Sequence, residues 1–282
     1  MAKQTIEYNK YLRLEKFPLI WCPGCGNGTV FKAILRAVDR IGLENDEVCM
    51  VSGIGCSSRT PGYADFNTLH TTHGRALAFA TGVKMARPEM SVIVVTGDGD
   101  ATAIGGNHFI HAARRNIDIT VVLFNNWIYG MTGGQASPTT PEGKRGSTAP
   151  YGQIEPNFDI VSLASGAGAS FVARQTVAQP IQLDKVIEKG VRKRGFSLIE
   201  AMTTCPTTYG RRNKQSDPIA MYEDLKKRGV TQRKLEKLSD EEREDAIVTG
   251  VFVDKELPEF TDRYGQLVEQ VGGPARPRRR DF

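Results

Sequence analysis

The chain has 282 residues, 40% of them hydrophobic and 24% charged, with a formal net charge of +5. It can bury a large core as one or two domains. No run approaches the ~18 apolar residues of a membrane span, and the polar opening MAKQTIEYNKYLRLEKF has no apolar signal core, so a cytoplasmic protein without a membrane role is expected.

In chain order, WCPGCGNG at 21–28 is a tight turn bearing Cys22 and Cys25. A helix with 3.6-residue apolar spacing follows over 28–42, then a buried strand over 47–55. GRALAFATGVKMAR (74–87) is a helix rich in small residues, and SVIVVTGDGD is a second buried strand. A helix beginning near Ile104 runs through GNHFIHAARRN, and ITVVLFNN (119–126) is a third buried strand. Helices near 158–167 and 180–194 alternate with strands FVARQ and SLIEAM. Apolar strands separated by helices imply a mostly parallel sheet covered on both faces, a doubly wound α/β fold.

After about residue 210 the character changes. Residues 216–245 are highly charged and read as helical, and TGVFVDKELPEFTDRYGQL reads as a partly extended arm. The closing PARPRRRDF, with Arg276, Arg278, Arg279 and Arg280, reads as a solvated, mobile end, with no nucleic-acid role expected. The expected organisation is a 1–210 domain and a 211–282 extension that packs on a partner.

Five cysteines, Cys22, Cys25, Cys49, Cys56 and Cys205, argue in a cytosolic chain for metal or redox work rather than disulfides. Cys49 lies inside an apolar strand and reads as a small buried hydrophobe. The other four sit in turns or at strand ends, the number needed for a Cys₄ zinc site or a [4Fe–4S] cluster. One close pair plus two lone cysteines, the last before Pro206, suits the cluster better, but spacing alone leaves zinc open.

The most specific signal is Gly97-Asp98-Gly99 followed, after Asp100 to Phe124, by Asn125-Asn126. Both end parallel strands joined by one helix, so a right-handed crossover brings Asp98 and Asn126 to the carboxyl edge of the sheet. A carboxylate and an amide oxygen suit Mg²⁺, which completes its octahedron with phosphate oxygens and water. A nicotinamide fingerprint would need glycine at 102, where Thr102 stands, and no lysine-bearing phosphate loop is present.

This pairing resembles the diphosphate motif of thiamine diphosphate enzymes. By that resemblance Asp98, Asn126 and the backbone carbonyl of Ile128 hold Mg²⁺, and His73-Gly74-Arg75 is similar to the His-Gly turn that approaches the cofactor. Taken together, WCPGCGNG, GIGCSSRTPGY, THGRALAFATG, TGDGDATAIGGNHFIHAARRN, NNWIYGMTGGQASPTTP and TTCPT make most of residues 17–210 resemble the β subunit of 2-oxoacid:ferredoxin oxidoreductases. The resemblance implies a [4Fe–4S] cluster on Cys22, Cys25, Cys56 and Cys205. It also implies thiamine diphosphate against Cys56, Ser57, Ser58, His73, Gly74, Gly97, Asp98, Gly99, Asp100, Asn126, Tyr129, Gly130, Met131 and Thr132.

The implied reaction is CoA-dependent oxidative decarboxylation of a 2-oxoacid, with electrons leaving one at a time through the cluster to ferredoxin. Only the diphosphate half of a thiamine site is visible, so a separate α subunit is expected, as a heterodimer or α2β2. SSRTPGYADF and GMTGGQ look more like the 2-oxoglutarate type than the pyruvate or branched-chain type. Arg59 is a candidate partner for a distal carboxylate, or else simply faces solvent. The rival readings are a non-redox thiamine decarboxylase or transferase with structural zinc, and an electron carrier or scaffold with idle GDG and NN elements.

Overall fold

The computed structural model describes residues 6–282; residues 1–5, which open the expected first domain and its polar N-terminal stretch, lie outside the described residues. The first long element is α1 (Asn27–Ile41), which buries Val30, Phe31, Ile34, Leu35 and Val38 on one face and stops at Gly42, whose φ of +74° suits glycine. Then come β1 (Val48–Ser52), the short α2 (Thr60–Tyr63), β2 (Asn67–His70), α3 (Ala76–Ala86) and β3 (Ser91–Gly97). Next are α4 (Gly106–Arg114), β4 (Thr120–Asn125), a small hairpin of β5 (Ile128–Tyr129) and β6 (Gln135–Ala136), α5 (Ile160–Ala167), β7 (Phe171–Thr176), α6 (Pro180–Arg192) and β8 (Ser197–Met202). The chain closes with α7 (Pro218–Arg228), β9 (Gly229–Thr231), α8 (Gln232–Leu235), α9 (Asp240–Glu244), β10 (Ile247–Asp254) and α10 (Phe260–Gln270).

Eight strands form one sheet in the order β2-β1-β3-β4-β8-β7-β10-β9, in which only the β10–β7 pairing is antiparallel. Successive strand residues point to opposite faces. Ile93, Val95, Val122 and Phe124 pack under α1 and α6, while Val92, Val94, Val121 and Leu123 pack against α3, α4 and α5. This is the doubly wound α/β architecture, with both faces of a nearly all-apolar sheet covered.

Three sequence expectations change. The helix expected from Ile104 starts earlier, as a π-helical turn over Asp100–Ile104 directly after Gly99, followed by α4 from Gly106. The arm expected over 249–267 is instead strand and helix: Val251 of β10 pairs with Ala173 of β7, so the sheet crosses the boundary expected at 210 and α10 follows. The basic tail is docked rather than mobile. Arg279 is only 4% exposed, donates to the carbonyls of Val191 (2.9 Å) and Lys193 (2.8 Å) at the end of α6, and meets Asp118 at 3.2 Å. A buried acid supplied the reason to dock, which a basic run read alone does not reveal. The edge strand β2, NTLH, half exposed and without apolar alternation, gave no sequence signal.

Candidate functional site

β3 and β4 are adjacent and parallel, with Gly97 opposite Phe124, so the GDG and NN turns stand side by side at the carboxyl edge of the sheet. Asp98 is 3% exposed, and Ser137 Oγ (2.5 Å) and Thr139 Oγ1 (2.6 Å) both donate to its Oδ2. Burial pushes this carboxyl up to about 6 against the opposing pull of the two hydroxyls. The two asparagines are used differently. Asn125 turns inward, donating from Nδ2 to Glu200 Oε1 (2.7 Å), which in turn accepts on Oε2 from Arg174 Nε (2.6 Å). Asn126 faces the cavity, its Oδ1 accepting only the Ile128 N–H (3.2 Å), and Trp127 between them holds φ at +62°, a left-handed strain of the kind found at working sites.

Asp100, 3% exposed, gathers the neighbouring loops. Its Oδ1 accepts from Gly74 N (2.7 Å) and Ile54 N (3.3 Å) and meets His73 Nδ1 at 2.5 Å, while Oδ2 accepts from Thr96 Oγ1 (2.8 Å). Glycine is required at 74, where φ is +68° and a Cβ would stand 2.4 Å from Ile104 Cγ2. With Nδ1 engaged, His73 leaves Nε2 for the cavity it lines, and its ring stands edge-on to Tyr129 at 6.0 Å. Tyr129 donates to the Gly99 carbonyl (3.1 Å), and burial pushes its phenol up to about 12.

Between these turns lies a cavity of about 80 Å³. Its lining includes Gly97, Asp98, Gly99, Asp100, Asn126 and Ile128 from the two turns, together with Asn27, Cys56, Ser57, His73, Tyr129, Gly130, Met131 and Thr132. Three expected site residues do not line it. Ser58 and Arg59 line an adjoining groove of about 190 Å³ with His70, because the 3-10 turn Ser57–Arg59 carries them past the edge, and Arg59 is exposed. Gly74 stands behind the wall, reaching the site through Asp100.

Of the four turn cysteines Cys56 lines the same cavity, and the other three gather around it. A Cβ on Gly130 would lie 3.5 Å from both Cys56 Sγ and Cys205 Sγ. Burial pushes Cys25 up to about 12, with Cys205, Cys56 and Cys22 adding to the rise, and pushes Cys56 up to about 11, with Cys205 and Cys22 adding. The Asn27 and Met131 N–H groups donate to the Cys25 and Cys56 sulfurs. Thr204 Oγ1 donates to the Gly24 carbonyl (2.9 Å) and Trp21 Nε1 to that of Cys56 (2.7 Å), tying the first loop to the other two. Cys49 is buried in β1. Among the described residues no three His, Cys, Asp or Glu side chains converge on a single-ion position.

Sequence reading missed Ser137 and Thr139, although the hydroxyl-dense run SPTT was the available signal. It also missed the Glu200–Arg174 pair beneath Asn125, for which a lone buried-strand glutamate was the only cue. A larger groove of about 1040 Å³ opens beyond Asn125 and Trp127, lined by Arg174, Asp217 and Arg228 among others. Its walls mix both charges and hold neither Asp98 nor a cysteine, so the chemistry concentrates in the smaller cavity.

Residues 53–201 match the family described as "Thiamine pyrophosphate enzyme, C-terminal TPP binding domain". The chain is 53% identical to the 2-oxoglutarate synthase subunit KorB of Methanothermobacter marburgensis over 94% of this chain and 93% of that one. It is 52% identical to the subunit of the same name from Methanocaldococcus jannaschii, over 93% and 97%. The solved 2-oxoglutarate:ferredoxin oxidoreductase from Magnetococcus marinus, with 2-oxoglutarate, coenzyme A and succinyl-CoA bound, superposes with a TM-score of 0.84 at 30% identity, covering 97% of this chain and 93% of that one.

Proposed function

The chain belongs to the 2-oxoglutarate:ferredoxin oxidoreductase family as a β subunit, and from that premise we propose that it pairs with an α subunit to convert 2-oxoglutarate, CoA and an oxidised ferredoxin to succinyl-CoA, CO₂ and reduced ferredoxin. One observation carries the reading: a buried carboxylate backed by two hydroxyls shares one cavity with Cys56, whose sulfur lies close to those of the other turn cysteines. With both hydroxyls on Oδ2, Asp98 keeps Oδ1 for a cation, and Asn126 Oδ1 and the Ile128 carbonyl are the oxygens to join it around Mg²⁺. The glycine floor at Gly97 and Gly99 admits a diphosphate where side chains would fill the space; a Cβ on Gly99 would lie 2.2 Å from the Tyr129 ring.

Cys22, Cys25, Cys56 and Cys205 hold a [4Fe–4S] cluster. The Cys22, Cys56 and Cys205 sulfurs lie close enough to Cys25 to push it up, which brings together the four thiols that a [4Fe–4S] cluster takes. Thiamine diphosphate supplies the nucleophilic carbon that releases CO₂ from a 2-oxoacid, and the cluster supplies one-electron acceptance. This chain's residues do the positioning. Asp100 fixes the His73 ring so that Nε2 faces the cavity and can hand a proton to or from a bound group. Tyr129 closes the wall against water, and the Asn27 and Met131 amides stabilise thiolate charge on Cys25 and Cys56.

Arg59, exposed beside Cys56, is the cation this chain offers to the distal carboxylate of the substrate. The exposed surface of residues 211–282 and the nearly bare Tyr151 (97% exposed) and Ile154 (88%) form the α-subunit contact of a cytoplasmic heteromer. Among the described residues no helix is long and apolar enough to cross a membrane.

The test is anaerobic co-purification with the α subunit. Iron, sulfide, magnesium and thiamine diphosphate should be present, with acceptor reduction dependent on both 2-oxoglutarate and CoA. Asp98→Ala should lose magnesium and thiamine diphosphate together while keeping iron; an iron-free heteromer, or one that turns over with Asp98→Ala, overturns the reading.

A further inference from the structure

Asn27 opens α1 immediately after the Cys22–Cys25 turn and is 1% exposed, yet neither Oδ1 nor Nδ2 finds a hydrogen-bond partner among the described residues. It lines the same cavity as Gly97, Asp98 and Asn126. A second orphan, Ser57 Oγ, 4% exposed, lines that cavity too. The placement is imposed from behind: a Cβ on the preceding Gly26 would stand 2.1 Å from Thr203 Oγ1 and 3.1 Å from Val177 Cγ2, so the backbone is seated directly on the ends of β7 and β8. A buried amide with no partner lowers stability unless a ligand completes its bonds. The rest of the cavity says what kind of ligand: a glycine floor, a carboxylate poised for a cation, and the positive end of a 15-residue helix that has no side-chain cap at Gly26. An oxyanion carrying its own metal ion fits all three.

Building on the thiamine diphosphate reading above, we propose that Asn27 is a direct ligand of the diphosphate group, its Nδ2 donating to a phosphoryl oxygen and its Oδ1 free to accept from a metal-bound water. Because its own N–H serves the Cys25 sulfur, one residue then touches both the cluster loop and the cofactor tail. Only the side chain is assigned to the phosphate, so the sulfur contact, made by the backbone N–H, survives replacement by alanine or aspartate.

The test measures binding rather than turnover. Apo heteromer is titrated calorimetrically with thiamine diphosphate in excess Mg²⁺, and separately with Mg²⁺–pyrophosphate by displacement of bound thiamine diphosphate. Asn27→Ala should raise both dissociation constants by a common factor of about 10 to 100, the worth of a hydrogen bond to a charged group. Asn27→Asp, which keeps the shape but adds a negative charge, should weaken both further. Iron content should not change, and the apo melting temperature of Asn27→Ala should stay level or rise, because an orphaned amide is being replaced by an apolar group. A structural asparagine would instead lower it. If wild type binds thiamine diphosphate and Asn27→Ala binds it equally well, or loses affinity for thiamine diphosphate but not for pyrophosphate, this assignment falls. If wild type binds neither, the thiamine reading itself is at fault.

Discussion

Replacing Arg279 by methionine tests whether the basic tail is part of the fold. The guanidinium donates to the Val191 and Lys193 carbonyls at 2.9 and 2.8 Å and to the Arg192 carbonyl at 3.4 Å, capping the C-terminal end of α6. It also faces Asp118, 1% exposed, which Lys84 Nζ contacts from the other side at 2.7 Å. Removing one partner of a buried charge pair costs about 3–5 kcal/mol. Here Lys84 continues to hold Asp118, and the freed α6 carbonyls gain access to water, so the expected loss is about 2–3 kcal/mol. For a chain of this size that corresponds to a fall of about 4–6 °C in melting temperature. The assay is thermal unfolding followed by circular dichroism, with Arg280→Met as comparison. Arg280 has half its side chain in solvent and contacts Glu47 at 2.9 Å, so its loss should shift the midpoint by less than about 2 °C. Equal midpoints for the two variants would show that the docked tail contributes nothing and refute the reasoning.

The same network gives a pH dependence. Burial alone would raise the Asp118 carboxyl, but the Arg279 and Lys84 charges outweigh it and hold it below its ordinary value. Its contribution is therefore complete above the unfolded value of about 4 and lost as pH falls through the lower folded one. Acid unfolding of Arg279→Met should begin at higher pH than wild type, and coincident acid curves would contradict this. Among the cysteines, alanine at Cys22, Cys25, Cys56 or Cys205 should abolish the iron signal near ~400 nm, whereas Cys49→Ala should keep it; iron loss with Cys49→Ala would misplace the cluster. Gly99→Ala should displace the Tyr129 ring and weaken thiamine diphosphate binding at least about tenfold by calorimetry, since its Cβ would meet Tyr129 Cζ at 2.2 Å. Gly28→Ala meets nothing within 4 Å in the first turn of α1 and should raise stability by up to about 1 kcal/mol; a loss on chemical denaturation would count against the helix register.

The sequence by itself determined the parts of this protein that repeat with a period or sit at fixed spacing. Val92 to Val95 and Val121 to Phe124 are apolar without interruption, which only a strand buried on both faces tolerates, so the doubly wound sheet was legible. The GDG-to-NN interval crosses one helix, so the convergence of Asp98 and Asn126 followed from the handedness of crossovers alone. What only the tertiary structure decided involves partners far apart in the chain. Asn125 and Asn126 are identical as letters, yet Glu200 draws one inward and leaves the other at the cavity. Arg279 reads as a solvated charge until Asp118 is folded beneath it, and β10 reads as an arm until β7 offers an edge. Asn27 has no local signal at all, because being without a partner is a property of its surroundings. Periodicity and spacing are carried by the chain; burial, and whether a polar atom is satisfied, exist only once distant segments meet.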